Sequence, residues 1–238
     1  MDTLSKRFPV GLQQAEKGFR FGLDTLLLAA FALKSLPQKS RLLAELGSGC
    51  GATLIAIELV LTDCFALGFE KDHASLDCAK QNSKKMNLEK NIKFVHCDLR
   101  LFGTFYQDLF PAVLANPPYY EPNEGRCSKA GNNAKRMFHA LEDFCFAASR
   151  LLMPHGYFLL IYPATKLQKL CCACERAHLG IRTLLPIAPQ ANSQATRFLV
   201  AARKNTKADT KVLPTLTIHG TKQFYTKECL AFCPWLNN

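Results

Sequence analysis

Asn116-Pro117-Pro118-Tyr119, entered from the apolar run Pro111-Ala112-Val113-Leu114-Ala115, is the stretch of this chain whose residue types and order best suit chemistry. Two consecutive prolines hold the backbone in an extended turn and remove two N–H donors, so carbonyl oxygens at the strand end lack local partners. Asn116 adds a side-chain carbonyl and Tyr119 a flat ring. A planar NH2 group fits this set: it donates to Asn116 Oδ1 and to the Pro117 carbonyl while the ring stacks on the plane that carries it. An aryl amine is a weak nucleophile because its lone pair is delocalised. Acceptors on both N–H bonds move density onto nitrogen and stabilise the positive charge that develops in the transition state. Taken without context, the tetrapeptide is also a Pro-Pro turn closing a strand with a half-buried tyrosine.

The second such stretch is Glu45-Leu46-Gly47-Ser48-Gly49-Cys50-Gly51. A strand entering a glycine-rich turn that opens a helix brings backbone N–H groups and a positive helix end close to a ligand. Gly47, Gly49 and Ala52 satisfy the dinucleotide pattern G-x-G-x-x-A, and Glu70 at the end of the next strand would suit the ribose hydroxyls of NAD. Glu45 favours a different ligand. An acid at the lip of the turn repels a pyrophosphate and suits a cation such as the ammonium of S-adenosylmethionine, with Asp98 after the third strand accepting from the adenine amine. Each acid alone also reads as a solvated strand end. Together Glu45, Glu70 and Asp98 stand at the carboxyl ends of successive strands, where open α/β sheets bind ligands. The expected cofactor set is Glu45, Gly47, Gly49, Gly51, Glu70, Asp98 and Asn116, and the expected methyl-transfer set is Asn116, Pro117 and Tyr119. No metal is required, and none of the six histidines stands in a ligand or triad pattern.

Positioning these groups takes a parallel sheet. From Arg41 onward, apolar runs of strand length alternate with segments of helical period, the sign of a Rossmann-like α/β fold with helices on both faces. Strands are expected at 42–46, 65–69, 92–95, 112–115, 157–161, 182–187 and 195–202. Helices are expected after Gly51, over 74–86, up to Leu152 and over 167–177. Before the sheet, a helix carrying Leu26, Leu27, Leu28 and Phe31 ends at Pro37, with Asp24 either its N-cap or a group at the cofactor pocket. After the sheet, 204–211 is a polar connector, 216–218 with Phe224-Tyr225 suggests a small hairpin, and a short helix starts near Thr226. One domain is expected over 1–238: a cap segment and helix (1–40), a catalytic core (41–203) and a C-terminal hairpin and helix (204–238).

Thirty Lys and Arg against 19 Asp and Glu give a net charge of +11, which points to a polyanionic partner. No basic amphipathic helix or lipidation motif stands out, so nucleic acid is favoured over a membrane surface. The longest apolar run, Leu26 to Leu33, is too short to span a bilayer, and the first residues have no signal-peptide core. A soluble, cytoplasmic protein is therefore expected. The 11 cysteines are an odd count spread through apolar segments and read as reduced, buried thiols, with Cys171, Cys172 and Cys174 as helix-core residues rather than metal ligands. Between Gly125 and Leu141 lie Arg126, Lys129, Lys135 and Arg136 with no acid. That segment is either a solvated loop or a phosphate clamp beside the pocket, reinforced by Lys80, Lys84, Lys85, Lys90 and Lys93. A base must leave its stack to meet Tyr119, which favours an unpaired site in RNA.

These residues resemble the class I S-adenosylmethionine-dependent methyltransferases with an Asn-Pro-Pro-Tyr motif, and among them the bacterial tRNA1(Val) adenine-N6 methyltransferases. The likeness extends through Gly18-Phe19-Arg20-Phe21 and Asp24, the Glu45–Gly51 turn, Asn116 to Tyr120, and Tyr225-Thr226-Lys227-Glu228. The resemblance implies a seven-stranded, largely parallel sheet with one reversed strand at its edge. It also implies methylation of an anticodon-loop adenine in tRNA, with Glu45, Gly47 and Gly49 lining the methionine moiety, Glu70 on the ribose and Asp98 on the adenine. Asn116 and Tyr119 would form the transfer site, and Tyr119, Tyr120, Arg126, Lys129, Lys135 and Arg136 would face the RNA. Glutamine-N5 methylation of release factors and guanine-N2 methylation of RNA use compatible turn chemistry, and an RNA-binding module without turnover is the non-enzymatic alternative.

Overall fold

Alternate residues of the central strands feed two separate cores, the requirement for a sheet covered on both faces. Leu43, Ala112, Leu114, Leu159 and Ile161 point into one core, and Ala44, Val113, Ala115, Phe158 and Leu160 into the other. The computed structural model describes residues 8–16, 20–37, 41–101, 106–119, 140–220 and 224–237. Its strands are β1 (Leu42–Leu46), β2 (Phe65–Glu70), β3 (Ile92–His96), β4 (Phe110–Ala115), β5 (Leu152–Pro163), β6 (Leu179–Gln190), β7 (Arg197–Lys204), β8 (Lys211–Val212) and β9 (Leu216–His219). The helices are α1 (Leu23–Ser35), α2 (Ala52–Glu58), α3 (His73–Lys85), α4 (Ala140–Leu151), α5 (Leu167–Arg176) and α6 (Lys227–Phe232). Helices α1, α2, α3 and α6 pack on the first core, α4 and α5 on the second.

The strand order is β3-β2-β1-β4-β5-β7-β6, with β8 and β9 both on the free side of β6. All pairings are parallel except those of β7, which runs against both β5 and β6. The order reverses between β1 and β4, and that switch point opens a crevice at the carboxyl ends of the strands. The glycine turn after β1 and the proline turn after β4 flank it.

The Rossmann-like α/β architecture expected from the alternation is present, with two corrections to its sheet. Among the described residues it has nine strands rather than seven, and the reversed strand is interior. Strands β6 and β7 form a hairpin closed by Ser193, whose hydroxyl bonds both Gln190 N and Gln190 O; β7 therefore folds back into the gap between β5 and β6. The expected C-terminal hairpin is present, with Gly220 N donating to Phe224 O at 2.8 Å and Thr226 N to Ile218 O at 2.9 Å, and β9 in addition pairs in parallel with β6. Leu216 and Ile218 are buried, so β9 joins β6, and a single bridge between His219 and Tyr225 runs back. The last helix does start as expected, with Thr226 Oγ1 accepting from Cys229 N at 3.0 Å. Cys171 and Cys172 are exposed on α5, and only Cys174 of that trio is in the core, because consecutive helical residues cannot all share one face. No helix among the described residues is long and apolar enough to cross a membrane.

Candidate active site

The turn after β1 is held from beneath by β2. Gly47 N and Ser48 N both donate to Phe69 O, at 2.8 and 3.1 Å, and Gly49 N donates to Glu70 Oε2 at 2.8 Å. Glu70 also accepts from Lys71 N and Asp72 N, each at 2.8 Å, so its carboxylate keeps one lone-pair direction for a ligand hydroxyl. Gly51 caps α2 at φ 83°, and a Cβ there would lie 2.6 Å from Phe94 Cζ. Gly51→Ala is expected to cost about 2 kcal/mol or more through the left-handed backbone and the overlap, lowering the midpoint of a thermal melt by about 4–8 °C.

Glu45 lies near the end of β1, 2% exposed, and its Oε2 has no hydrogen-bond partner. Burial pushes this carboxyl up to about 8; a hydrogen bond from Thr53 opposes the rise and the charge of Glu70 adds to it. Ser48 Oγ beside it is likewise buried and unpartnered. Buried polar atoms without partners are uncommon. These two face a cleft lined by Phe21, Thr25, Glu45, Gly47, Gly49 and Asn116, so they fit a polar, cationic group entering from it. Asp98 stands two residues beyond β3 and is bonded by Arg100 through its backbone N, Nε and Nη2, which holds the carboxyl well below the usual carboxylate range. The three acids therefore stand at the ends of three adjacent strands as expected, in three different hydrogen-bonding states.

Across the cleft, Asn116 follows β4 directly, Pro117 is buried, and the Tyr119 hydroxyl lies 2.6 Å from Asn116 Oδ1. That hydroxyl also lies 2.9 Å from Asp24 Oδ2, while the Tyr119 carbonyl accepts from Lys166 Nζ at 2.6 Å. Arg197 donates from Nε to the same Asp24 oxygen at 3.1 Å, and its guanidinium sits 4.9 Å above the Tyr119 ring. Burial and the nearby Asp24 charge push the Tyr119 phenol well above its ordinary range. The Tyr162 ring meets Tyr119 edge to face at 6.0 Å. Asp24 is not an N-cap, which corrects one of its two readings. Gly22 holds the cap position without a side-chain bond, and Asp24 sits within the first turn with its carboxylate turned to Tyr119 and Arg197.

Arg197, Lys166 and Phe21 are site residues that sequence reasoning missed. Arg197 opens β7 and Lys166 precedes α5, and no local motif marks either. Asn82, wholly buried on α3, was missed too. Its Nδ2 donates to Cys50 O and Gln13 O, and its Oδ1 accepts from Gln13 N, which ties the segment before α1 to the glycine turn. Of the basic residues, Lys80, Lys84 and Lys85 are exposed on α3, with Lys85 bonded to Gly11 O at 2.9 Å. Tyr120, Arg126, Lys129, Lys135 and Arg136 lie outside the described residues.

A parallel sheet with one reversed strand, a glycine turn beside a buried acid and an Asn-Pro-Pro-Tyr turn opposite it define a group-transfer enzyme of the methyltransferase class. The chain belongs to the family described as methyltransferase domain, whose model matches residues 39–209. Among curated relatives, it is 23% identical over 200 residues to the tRNA1(Val) (adenine(37)-N6)-methyltransferase of Flavobacteriaceae bacterium (strain 3519-10), covering 84% of this chain and 83% of that protein. It is 27% identical over 217 residues to the protein of the same description from Phocaeicola vulgatus, covering 89% and 88%. A release factor glutamine methyltransferase of Buchnera aphidicola is 31% identical over 101 residues, covering 42% of this chain and 35% of that protein. Among solved structures, a predicted O-methyltransferase from Agrobacterium tumefaciens shares the fold with a TM-score of 0.73 at 20% identity, covering 90% of this chain and 97% of that one.

Proposed function

We propose that this protein is an S-adenosylmethionine-dependent methyltransferase acting on the N6 amine of an unpaired adenine in tRNA, in the cytoplasm. The observation that carries the reading is one cleft with Asn116 on one side and the unpartnered Glu45 Oε2 on the other. A cationic methyl donor is held by the acid, and a flat amine by the amide. When bound, S-adenosylmethionine supplies the electrophilic methyl group. Glu45 pairs with its ammonium, the glycine turn lets the backbone approach it, Glu70 accepts from a ribose hydroxyl and Asp98 from the adenine amine.

The chain's own contribution to transfer is orientation and electrostatics. Asn116 Oδ1 and the Pro117 carbonyl accept the two N–H bonds of the target amine, which aims its lone pair and stabilises the charge gained as nitrogen becomes cationic. Tyr119 provides the stacking surface. Exposed lysines on α3 and the cations of 126–136 contact phosphates, a role that matches the net charge of +11. Matches to tRNA-modifying relatives over 84% and 89% of this chain favour RNA over the release factor glutamine, whose enzymes match over 42% to 56% of it.

The test is incubation with total tRNA and methyl-labelled S-adenosylmethionine, followed by nucleoside analysis. Label in N6-methyladenosine is expected. Label recovered in N2-methylguanosine, or in a release factor added to the same mixture in place of N6-methyladenosine, rejects the assignment.

A further inference from the structure

We infer that Asp24 is a positioning residue that sets which end of the Asn116 amide faces the cleft, acting through the Tyr119 hydroxyl. Its kinetic consequence rests on the methyl-transfer reading above, whereas its structural content does not. The Tyr119 oxygen lies 2.9 Å from Asp24 Oδ2 and 2.6 Å from the side-chain amide of Asn116. A phenol has one proton and gives it to one of them. A carboxylate accepts more strongly than an amide, so the proton belongs to Asp24.

The Tyr119 oxygen then presents lone pairs to Asn116, and the amide end that answers a lone pair is Nδ2. The two ends of an amide have the same shape, so half a turn about the Cβ–Cγ bond exchanges them. The structure sets Oδ1 beside Tyr119, and the half turn puts Nδ2 in the same place. With Nδ2 there instead, Oδ1 turns to the cleft that Asn116 shares with Glu45 and Gly47, where an incoming amine needs its acceptor. Without the Asp24 carboxylate, the phenol donates to Asn116 Oδ1, and the NH2 end opposes the N–H bonds of the substrate. Arg197 completes the device. It donates to the same Asp24 oxygen and lies over the Tyr119 ring, so three distant segments of the chain converge on one proton.

The test uses 15N–1H spectra of the full chain, in which the side-chain NH2 pair of Asn116 is the one missing from Asn116→Asp. Asp24→Asn and Tyr119→Phe are both expected to move the bonded proton of that pair upfield, and the double variant to match Tyr119→Phe alone. In methyl transfer to total tRNA, Asp24→Asn is expected to lower kcat by about 10²-fold while KM for tRNA and Kd for S-adenosylmethionine stay within about twofold. A purely structural Asp24 predicts an Asn116 pair unmoved by either change and losses that add in the double variant, and either result overturns the inference. Tyr119→Phe keeps the Asp24–Arg197 pair and carries the spectral test by itself if Asp24→Asn does not fold. A wild-type protein that transfers no label to tRNA overturns the functional reading alone, and the spectra still decide the role of Asp24.

Discussion

Asn116→Ala is expected to reduce methyl transfer by about 10²–10³-fold while leaving the Kd for S-adenosylmethionine, measured by calorimetry, within about threefold. The asymmetry follows from the layout of the cleft. In the function proposed above, the donor is gripped by β1, β2 and the glycine turn, which are tied to each other by Gly47 N, Ser48 N and Gly49 N, and Asn116, expected in the cofactor set, lines the cleft without belonging to that grip. The acceptor for the target amine comes from the opposite lip, after β4. Removing it deletes an interaction that strengthens as nitrogen gains charge, so the loss falls on kcat. Equal loss of binding and transfer would show that Asn116 is structural.

Glu45 sets the second large effect, with a defined dependence on pH. Its carboxyl is pushed up to about 8 by burial, so in the ligand-free protein only about one molecule in ten carries the charge at pH 7. Pairing with an ammonium requires the ionised form. Affinity for S-adenosylmethionine is therefore expected to rise about tenfold per pH unit below 8 and to level off above it, and binding at pH 7 to release close to one proton. Calorimetry in buffers of different ionisation enthalpy measures both.

For stability the sign is opposite. The folded value lies above the ordinary 4.5, so the contribution of Glu45 to folding is fully present below about 4.5 and is lost as pH rises through 8. The ligand-free wild type is expected to lose melting temperature relative to Glu45→Gln between pH 6 and 9. At pH 8 the same substitution is expected to weaken the donor by about 30-fold or more, from the roughly 2 kcal/mol lower bound for truncating one member of a buried charge pair. A pH-independent affinity would place the ammonium elsewhere.

Much of this molecule was legible from the chain alone because the signals are local. Alternating apolar runs marked the strands, and β1 was located to the residue, since a buried parallel strand is a short apolar run bounded by turn residues. Glycines at 47, 49 and 51 all take positive φ, the conformation that made them readable as a ligand turn. The placement of Glu45, Glu70 and Asp98 at strand ends was legible from position, because each follows a short apolar run.

Amino-acid order by itself determined the alternation, the two turns and the acids at the strand ends, since each depends on residues within a few positions of one another. Tertiary structure alone decided that β7 folds back between β5 and β6, that Glu45 is buried with Oε2 unpartnered, and that Asp24, 95 residues before Tyr119 and 173 before Arg197, meets both. The physical reason is range. Backbone preference and side-chain period act between neighbours in the chain, whereas burial and the sharing of a single proton depend on which distant segments the packed core brings together.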